Sequence, residues 1–252
     1  MFIDTHCHLS NKYYEDIDLV IKENKEANIE KMIISGCEKD ELKETIDIIN
    51  KYEMIYATIG FHPDQVEKVN EEDIDWLEEL IITNKKVIGV GEIGLDYHYS
   101  KKYKEEQQEL FEKQLKIAEK LNLPVVIHSR DATKDTIDIL KKYNVKGVIH
   151  CFSGSLETAN IYISMGYKLG IGGVLTFKNS NLSKVIEQVD IKNIVLETDS
   201  PYLTPDPFRG KQNSSKYIPI IAKKLSDIKN LTQEEISEIT IKNTCEVFDF
   251  NY

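Results

Sequence analysis

The sequence alternates eight times between a short apolar run and a stretch of helical pattern. A polar residue or a glycine ends each run, as expected of parallel strands that are joined by surface helices. The apolar runs cover residues 2–3, 32–34, 55–59, 87–90, 125–127, 145–149, 167–171 and 194–196. Their spacing of about 28 residues is close to the ~31 residues per unit of a (β/α)8 barrel. The pattern therefore predicts an α/β fold with a closed (β/α)8 TIM barrel, and an open doubly wound sheet is the alternative.

The length and composition of the chain fit one domain. With 252 residues, the chain is predicted to form a single domain over residues 1–252, because barrels of this type commonly have ~250 residues. Its apolar runs are too short for a transmembrane helix, and the polar segment after residues 1–3 predicts no signal peptide. The four cysteines form no C-x-x-C pair, which favours a reducing cytoplasm over a disulfide framework.

The charge balance is acidic, with 32 basic and 43 acidic residues and a formal net charge of −11. This balance argues against a protein that coats nucleic acid or binds anionic membranes, because both need a basic surface. It does not exclude an enzyme that approaches phosphates through metal ions. Nothing in the sequence indicates an obligate protein partner or a membrane contact.

Two histidines flank Cys7 where the first strand is predicted to end. Because residues two apart share one face of a strand, His6 and His8 are predicted to point to the same side, where they could bind one divalent metal. Further metal-ligand side chains stand at the ends of four other apolar runs, and they are Glu92, His128, His150 and Asp199. Barrel active sites are built at the carboxyl ends of the strands. We therefore predict a metal site formed by these six side chains.

Six motifs make the chain similar to a known family. They are residues 1–9 (MFIDTHCHL), 60–63 (GFHP), 91–97 (GEIGLDY), 127–130 (IHSR), 150–154 (HCFSG) and 197–203 (ETDSPYL). In this order they resemble the TatD family of metal-dependent deoxyribonucleases, and the resemblance covers essentially the whole chain. It implies a distorted TIM barrel, two divalent metal ions and hydrolysis of the phosphodiester bonds of DNA.

The resemblance also implies a role for each candidate ligand. The first metal would be held by His6, His8, Glu92 and Asp199, and the second by Glu92, His128 and His150. Glu92 would then bridge two ions that are ~4 Å apart and that activate a shared water. Asp199 is predicted to accept the proton of that water as a general base. Glu92 and Asp199 are therefore the predicted catalytic residues.

Three more side chains have predicted roles around the metals. Glu197, two residues before Asp199, is predicted to orient a ligand imidazole, and a buried structural carboxylate is the alternative. His62 and Arg209 are predicted to bind substrate phosphates, and the alternatives are a turn residue and a surface salt bridge. Relatives commonly have Glu-Pro where this chain has Ser214-Ser215, which puts the rigidity of the substrate loop in question.

The predicted function is a deoxyribonuclease that acts on DNA ends or single strands with two divalent ions, which could be Zn, Mn, Mg, Co, Ni or Fe. The alternatives are a small-molecule amidohydrolase or phosphoesterase, an ester hydrolase that acts on aminoacyl-tRNA, and a metal-binding scaffold without activity. Many amidohydrolases have a modified lysine at the end of strand four. This chain has Glu92 there, which favours the nuclease.

Overall fold

The short apolar runs of the sequence form eight β-strands. The structure, a computed structural model, describes residues 1–98 and 102–249. The strands are β1 (Phe2–Cys7), β2 (Ile29–Gly36), β3 (Ile55–Ile59), β4 (Val87–Asp96), β5 (Val125–Arg130), β6 (Gly147–Ile149), β7 (Lys168–Ile171) and β8 (Ile194–Leu196). Valine and isoleucine dominate them, as expected of strands that are covered on both faces.

Helices follow most of the strands. They are α1 (Ile17–Glu26), α2 (Leu42–Lys51), α3 (Glu71–Thr83), α4 (Lys104–Leu121), α5 (Thr133–Leu140), α6 (Leu156–Ser164), α7 (Leu182–Gln188), α8 (Ile218–Lys229) and α9 (Gln233–Phe248). In the longest of them, α4, one buried apolar stripe includes Leu110, Phe111 and Leu115. Among the helices of the described residues, none combines the length and apolar composition that a membrane span requires.

The strands form one sheet in the order β1 to β8. The last strand returns beside the first, because the His8 amide donates to the Ser200 carbonyl at 2.7 Å and Cys7 bridges Ser200 in parallel. Eight parallel strands in chain order with β8 beside β1 make a (β/α)8 barrel, which confirms the predicted fold class. Register shifts in the β1/β2, β3/β4 and β4/β5 pairs distort its regularity.

The described chain divides into two compact units. Among the described residues, the first unit contains 1–34 and 150–249, and the second contains 35–98 and 102–149. The first has β1, β7 and β8, and the second has β3 to β6. A single domain over residues 1–252 stays a prediction.

Strand β4 is longer than the apolar run that predicts it. The run ends at Val90, but β4 continues to Asp96 because Gly94, Leu95 and Asp96 pair with the end of β5. Glu92 therefore lies inside the strand, at a register shift between Val90 and Ile93, and not at its end. Periodicity could not show this, because the length of the strand is set by its pairing with β5.

The N-terminus of α3 gives a test of local stability. The side chain of Asp73 accepts from the Asn70 amide, and the Asp73 amide donates to Asn70 in return. Lys39 Nζ lies 2.7 Å from Asp73 Oδ1. Burial by itself would raise the pKa of Asp73, but the hydrogen bonds from Lys39 and Asn70 outweigh it and lower that pKa.

We expect Asp73→Asn to lower the free energy of unfolding by about 1 kcal/mol at pH 7, as for other lost helix caps. The lowered pKa means that this stabilisation is complete above the pKa of the unfolded chain, ~4, and is lost as pH falls through the folded value. Urea unfolding at pH 7 and at pH 3 should therefore give a smaller difference from wild type at pH 3. Asp75→Asn, on the exposed side of α3, is the control. An equal difference at both pH values would contradict this explanation.

Candidate metal centre

In the first unit, two imidazoles face one carboxylate. His6 Nε2 lies 3.6 Å and His8 Nε2 lies 3.5 Å from the same atom, Asp199 Oδ1. The two histidine rings have centroids 5.1 Å apart and are nearly perpendicular. His6 and His8 thus point to the same side of the chain, as the alternation of a strand requires. Two nitrogens and one oxygen at these distances can surround a divalent cation.

The turn after β8 aims Asp199 at these histidines. β8 ends at Leu196, and the buried Asp4 holds the following turn by accepting from the Thr198 amide at 3.0 Å and from its hydroxyl at 2.6 Å. The Asp199 amide donates to the His6 carbonyl at 2.9 Å. Asp199 has a φ of 55°, in the left-handed region that aspartate tolerates better than most residues. Asp4 was not among the predicted site residues, although it stands two positions before His6 on the same strand face.

The environment keeps the carboxylate of Asp199 ionised. Burial alone would raise its pKa, but the imidazoles of His6 and His8 outweigh burial and hold the pKa of Asp199 well below its usual range. The side chain is 15% exposed, so water can reach it. An ionised and accessible carboxylate can serve either as a metal ligand or as a proton acceptor.

His150 joins this group from the segment after β6. Its ring centroid lies 4.1 Å from that of His6, and donor atoms of His6, His150 and Asp199 all lie within 4.8 Å of one another. Glu197 lies behind it, with Oε1 at 3.7 Å from His150 Nδ1 and accepting from the Cys151 amide. Glu197 is completely buried, and its Oε2 has no hydrogen-bond partner among the described residues. A carboxylate in this place can fix the orientation of the His150 ring.

A glycine on β7 makes room for Glu197. A Cβ atom at Gly170 would lie 2.1 Å from Glu197 Oε2, whereas a Cβ atom at Gly172 would only touch the Glu197 carbonyl at 3.4 Å. An alanine at position 170 must therefore displace the carboxylate, and an alanine at position 172 need not.

We expect Gly170→Ala to weaken metal binding by about 10- to 100-fold, the usual cost of disturbing a group that orients a ligand. The dissociation constant for Zn²⁺, measured by competition with a chelating dye, checks this expectation. Gly172→Ala is the matched control and should bind nearly as wild type. Wild-type affinity in Gly170→Ala would show that Glu197 does not orient a ligand.

The second unit holds a group of similar chemistry. His128 Nδ1 lies 2.7 Å and His62 Nε2 lies 3.8 Å from Glu92 Oε1, and the two histidine rings are 4.5 Å apart. Glu92 is buried at 3% exposure. His62 lies beside Glu92 and also caps the helical turn Pro63–Gln65, and its binding of a phosphate stays a prediction.

Asp96 is a site residue that the sequence reasoning missed. Its Oδ2 lies 3.2 Å from His128 Nε2, and donor atoms of His62, Asp96 and His128 lie within 4.8 Å of one another. Burial would raise the pKa of Asp96, but the hydrogen bond from His128 and the His98 amide outweigh it and lower that pKa. The sequence did contain a signal for Asp96. It is four residues after Glu92, so the two side chains share one face if the strand continues past its apolar run.

Arg209 lies in the loop after β8. Its Nη1 donates to the Thr204 carbonyl at 3.1 Å, and its guanidinium stacks 4.0 Å from the ring centre of Phe177. The residue is exposed, and its binding of a phosphate stays a prediction.

Hydrogen bonds hold the loop after β8 although it has Ser214-Ser215 where relatives commonly have Glu-Pro. The Ser214 hydroxyl contacts Asn24 Oδ1 at 3.0 Å, and the Ser214 amide donates to Asn213 Oδ1 at 2.9 Å. The buried Asn213 in turn donates to the carbonyls of Thr198 and Tyr202. These bonds tie the loop to the turn that carries Asp199, so Ser214 supplies an anchor of its own.

Comparisons with known proteins agree with this arrangement. The profile of the TatD-related DNase family matches residues 3–249. The uncharacterized metal-dependent hydrolase YabD of Bacillus subtilis is 40% identical over the full length of both chains. The crystal structure of the TatD homologue YjjV from Escherichia coli K12 superposes with a TM-score of 0.94 at 30% identity, covering 99% of this chain and 98% of that one. A TatD family hydrolase from Entamoeba histolytica gives a TM-score of 0.87 at 29% identity, covering 98% and 97% of the two chains. This chain therefore belongs to the TatD family, in which the relative from Bacillus subtilis is named a metal-dependent hydrolase.

Proposed function

We propose that this chain is a metal-dependent deoxyribonuclease that hydrolyses phosphodiester bonds at DNA ends or in single strands. The observation that carries the proposal is the ionised Asp199 carboxylate, which faces the imidazoles of His6 and His8 on the carboxyl side of β1 and β8. This donor set suits a divalent metal of the zinc or manganese type. Membership in a family of TatD-related DNases supports a nucleic-acid substrate.

In the proposed site, Glu92 would be a ligand common to two ions. The first would be held by His6, His8, Asp199 and Glu92, and the second by Glu92, His128 and His150. Three of the six, His6, Glu92 and His128, lie in the second half of a strand, and the other three follow β1, β6 and β8. A barrel gathers the carboxyl ends of its parallel strands at one face, which supports a common site. When bound, such ions supply charge for the phosphate and lower the pKa of a coordinated water.

The protein groups then have separate tasks. Asp199 is proposed to accept the proton of the attacking water, and its ionised, partly exposed carboxylate supports this role. Glu197 would orient the ring of His150, and Asp96 would orient the ring of His128, because each carboxylate lies beside one nitrogen of that ring. His62 and Arg209 are proposed to bind phosphate oxygens of the substrate.

The test compares substrates on metal-free and metal-loaded protein. Chelator-treated protein should be inactive on a short single-stranded oligonucleotide and should regain activity when Mn²⁺ or Zn²⁺ is added. A blunt duplex should be cut from its ends more slowly, and a closed circular duplex should not be cut, because neither end nor single strand is available. RNA, an aminoacyl-tRNA, a lactone and an N-acyl amide complete the substrate set. Preferred hydrolysis of one of the last three would overturn the proposal and identify the chain as an amidohydrolase or an ester hydrolase.

The proposal places the enzyme in the cytoplasm and needs no obligate protein partner. The four cysteines of the sequence form no C-x-x-C pair, which supports a reducing compartment. Separating cell fractions and detecting the protein in each of them tests this location.

A further inference from the structure

An aromatic pair lies directly beside a candidate metal ligand. The rings of Tyr13 and Tyr202 lie 6.0 Å apart, and their centroids are 6.3 Å and 6.0 Å from the ring of His8. Tyr13 comes shortly after β1 and Tyr202 shortly after β8, two strands that lie side by side. The two tyrosines, here called the tyrosine pair, thus follow the same two strands as His8 and Asp199.

Neighbouring residues of one loop hold the backbone of both tyrosines. Gln212 Nε2 donates to the Tyr13 carbonyl at 2.6 Å, and Asn213 Nδ2 donates to the Tyr202 carbonyl at 2.6 Å. The Tyr202 amide also donates to the Asp199 carbonyl at 2.9 Å. The position of the pair relative to Asp199 is therefore fixed by hydrogen bonds within one unit.

The surface of the pair is open and has a cation beside it. Tyr202 is 50% exposed, although large apolar side chains near a buried site are usually covered. Lys12 Nζ lies 5.0 Å from the centre of the Tyr13 ring, in an otherwise acidic chain with a net charge of −11. Exposed aromatic rings together with a cation are the combination by which proteins bind single-stranded nucleic acid, since a base stacks on the ring while the cation attracts the phosphate.

We propose that the tyrosine pair binds the unpaired nucleobase next to the phosphate that is cleaved. The inference rests on the proposed function and deepens it, because it makes an unstacked base part of the recognised substrate. A base inside a duplex has both faces covered by its neighbours, so the pair selects single strands and frayed ends. The ring of Tyr202 supplies the stacking surface, and Lys12 beside Tyr13 faces the backbone phosphate of the same nucleotide.

A competition assay in EDTA measures binding without hydrolysis. A labelled oligomer of eight thymidines is bound to the protein and is then displaced by an unlabelled competitor. Two competitors of equal length and charge are compared: the first consists of thymidines, and the second consists of abasic tetrahydrofuran residues. Wild type should bind the thymidine oligomer about tenfold more tightly, the usual gain from one stacked base. Tyr202→Ala should remove this preference, and Tyr202→Phe should keep it because the ring remains. Tyr13→Ala should reduce it.

Tyr52→Ala is the matched control, because Tyr52 also has a lysine over its ring, with Lys51 Nζ at 4.7 Å, but it precedes β3. It should keep the wild-type preference. Equal binding of both oligomers by wild type, or a preference that survives both Tyr202→Ala and Tyr13→Ala, would overturn the inference. Hydrolysis by the Mn²⁺-loaded wild type is measured on the same two oligomers. If both are cut at equal rates, the inference fails and the proposed function stands; if neither is cut, the proposed function fails.

Discussion

Asp199→Asn is expected to lower kcat on a single-stranded oligonucleotide by about 10³-fold, within the range found when a general base is removed. The asparagine has nearly the shape of aspartate, but it carries no negative charge and cannot accept a proton at neutral pH. The carboxylate is ionised in the folded protein because His6 and His8 lower its pKa. Measuring kcat at saturating Mn²⁺ separates the loss of the proton acceptor from a weaker affinity for metal.

A suitable control for this substitution is Asp190→Asn. Asp190 also has a lowered pKa, but it accepts from the Lys192 amide at the amino end of β8, where it caps a short helical turn. It should keep wild-type kcat. If Asp199→Asn retained more than about a tenth of wild-type kcat, Asp199 would not be the general base and another group would have to take the proton.

The barrel could be predicted because its signal is periodic and local. Each apolar run overlaps one strand of the structure, and β3 and β8 coincide with their runs at residues 55–59 and 194–196. Strand alternation also explains why His6 and His8 face one carboxylate. These features depend on which face of a strand each side chain occupies, and that face follows from the position of the residue in the sequence.

The supporting carboxylates were harder to predict because they depend on contacts between distant segments. Asp4 acts on a turn 194 positions later, through Thr198. Asp96 reaches His128 only because β4 continues past its apolar run, and Gly94 allows the close approach to β5 that this continuation needs. Neither the length of β4 nor the turn after β8 has a local sequence signal, since pairing and tertiary hydrogen bonds determine both.

The tyrosine pair illustrates the same limit. Tyr13 and Tyr202 are 2 of 13 tyrosines and are far apart in the sequence. No pattern within either segment indicates that their rings come within 6.0 Å of each other beside His8. Only the closure of β8 against β1 brings them together, so the sequence could indicate candidate metal ligands but not this aromatic pair.

Glu92→Gln is expected to lower both metal content and turnover, with kcat falling by about 10²- to 10³-fold while the fold is kept. Glu92 Oε1 lies 2.7 Å from His128 Nδ1 and 3.8 Å from His62 Nε2, at 3% exposure. The glutamine can still hydrogen-bond His128, so we expect a cooperative unfolding transition close to that of wild type. It offers no negative charge to share between two cations, and one neutral oxygen cannot replace a bridging carboxylate.

Elemental analysis after dialysis measures the metal bound per chain, and oligonucleotide hydrolysis at saturating Mn²⁺ measures the turnover that remains. Glu112→Gln is the control, because Glu112 also pairs with a cation, Lys142 at 2.6 Å, but lies on the surface of α4. It should match wild type in both measurements. If Glu92→Gln kept two ions per chain and near wild-type hydrolysis, Glu92 could not be the bridge. The reaction would then depend on the ligands around Asp199 alone, and one ion would suffice.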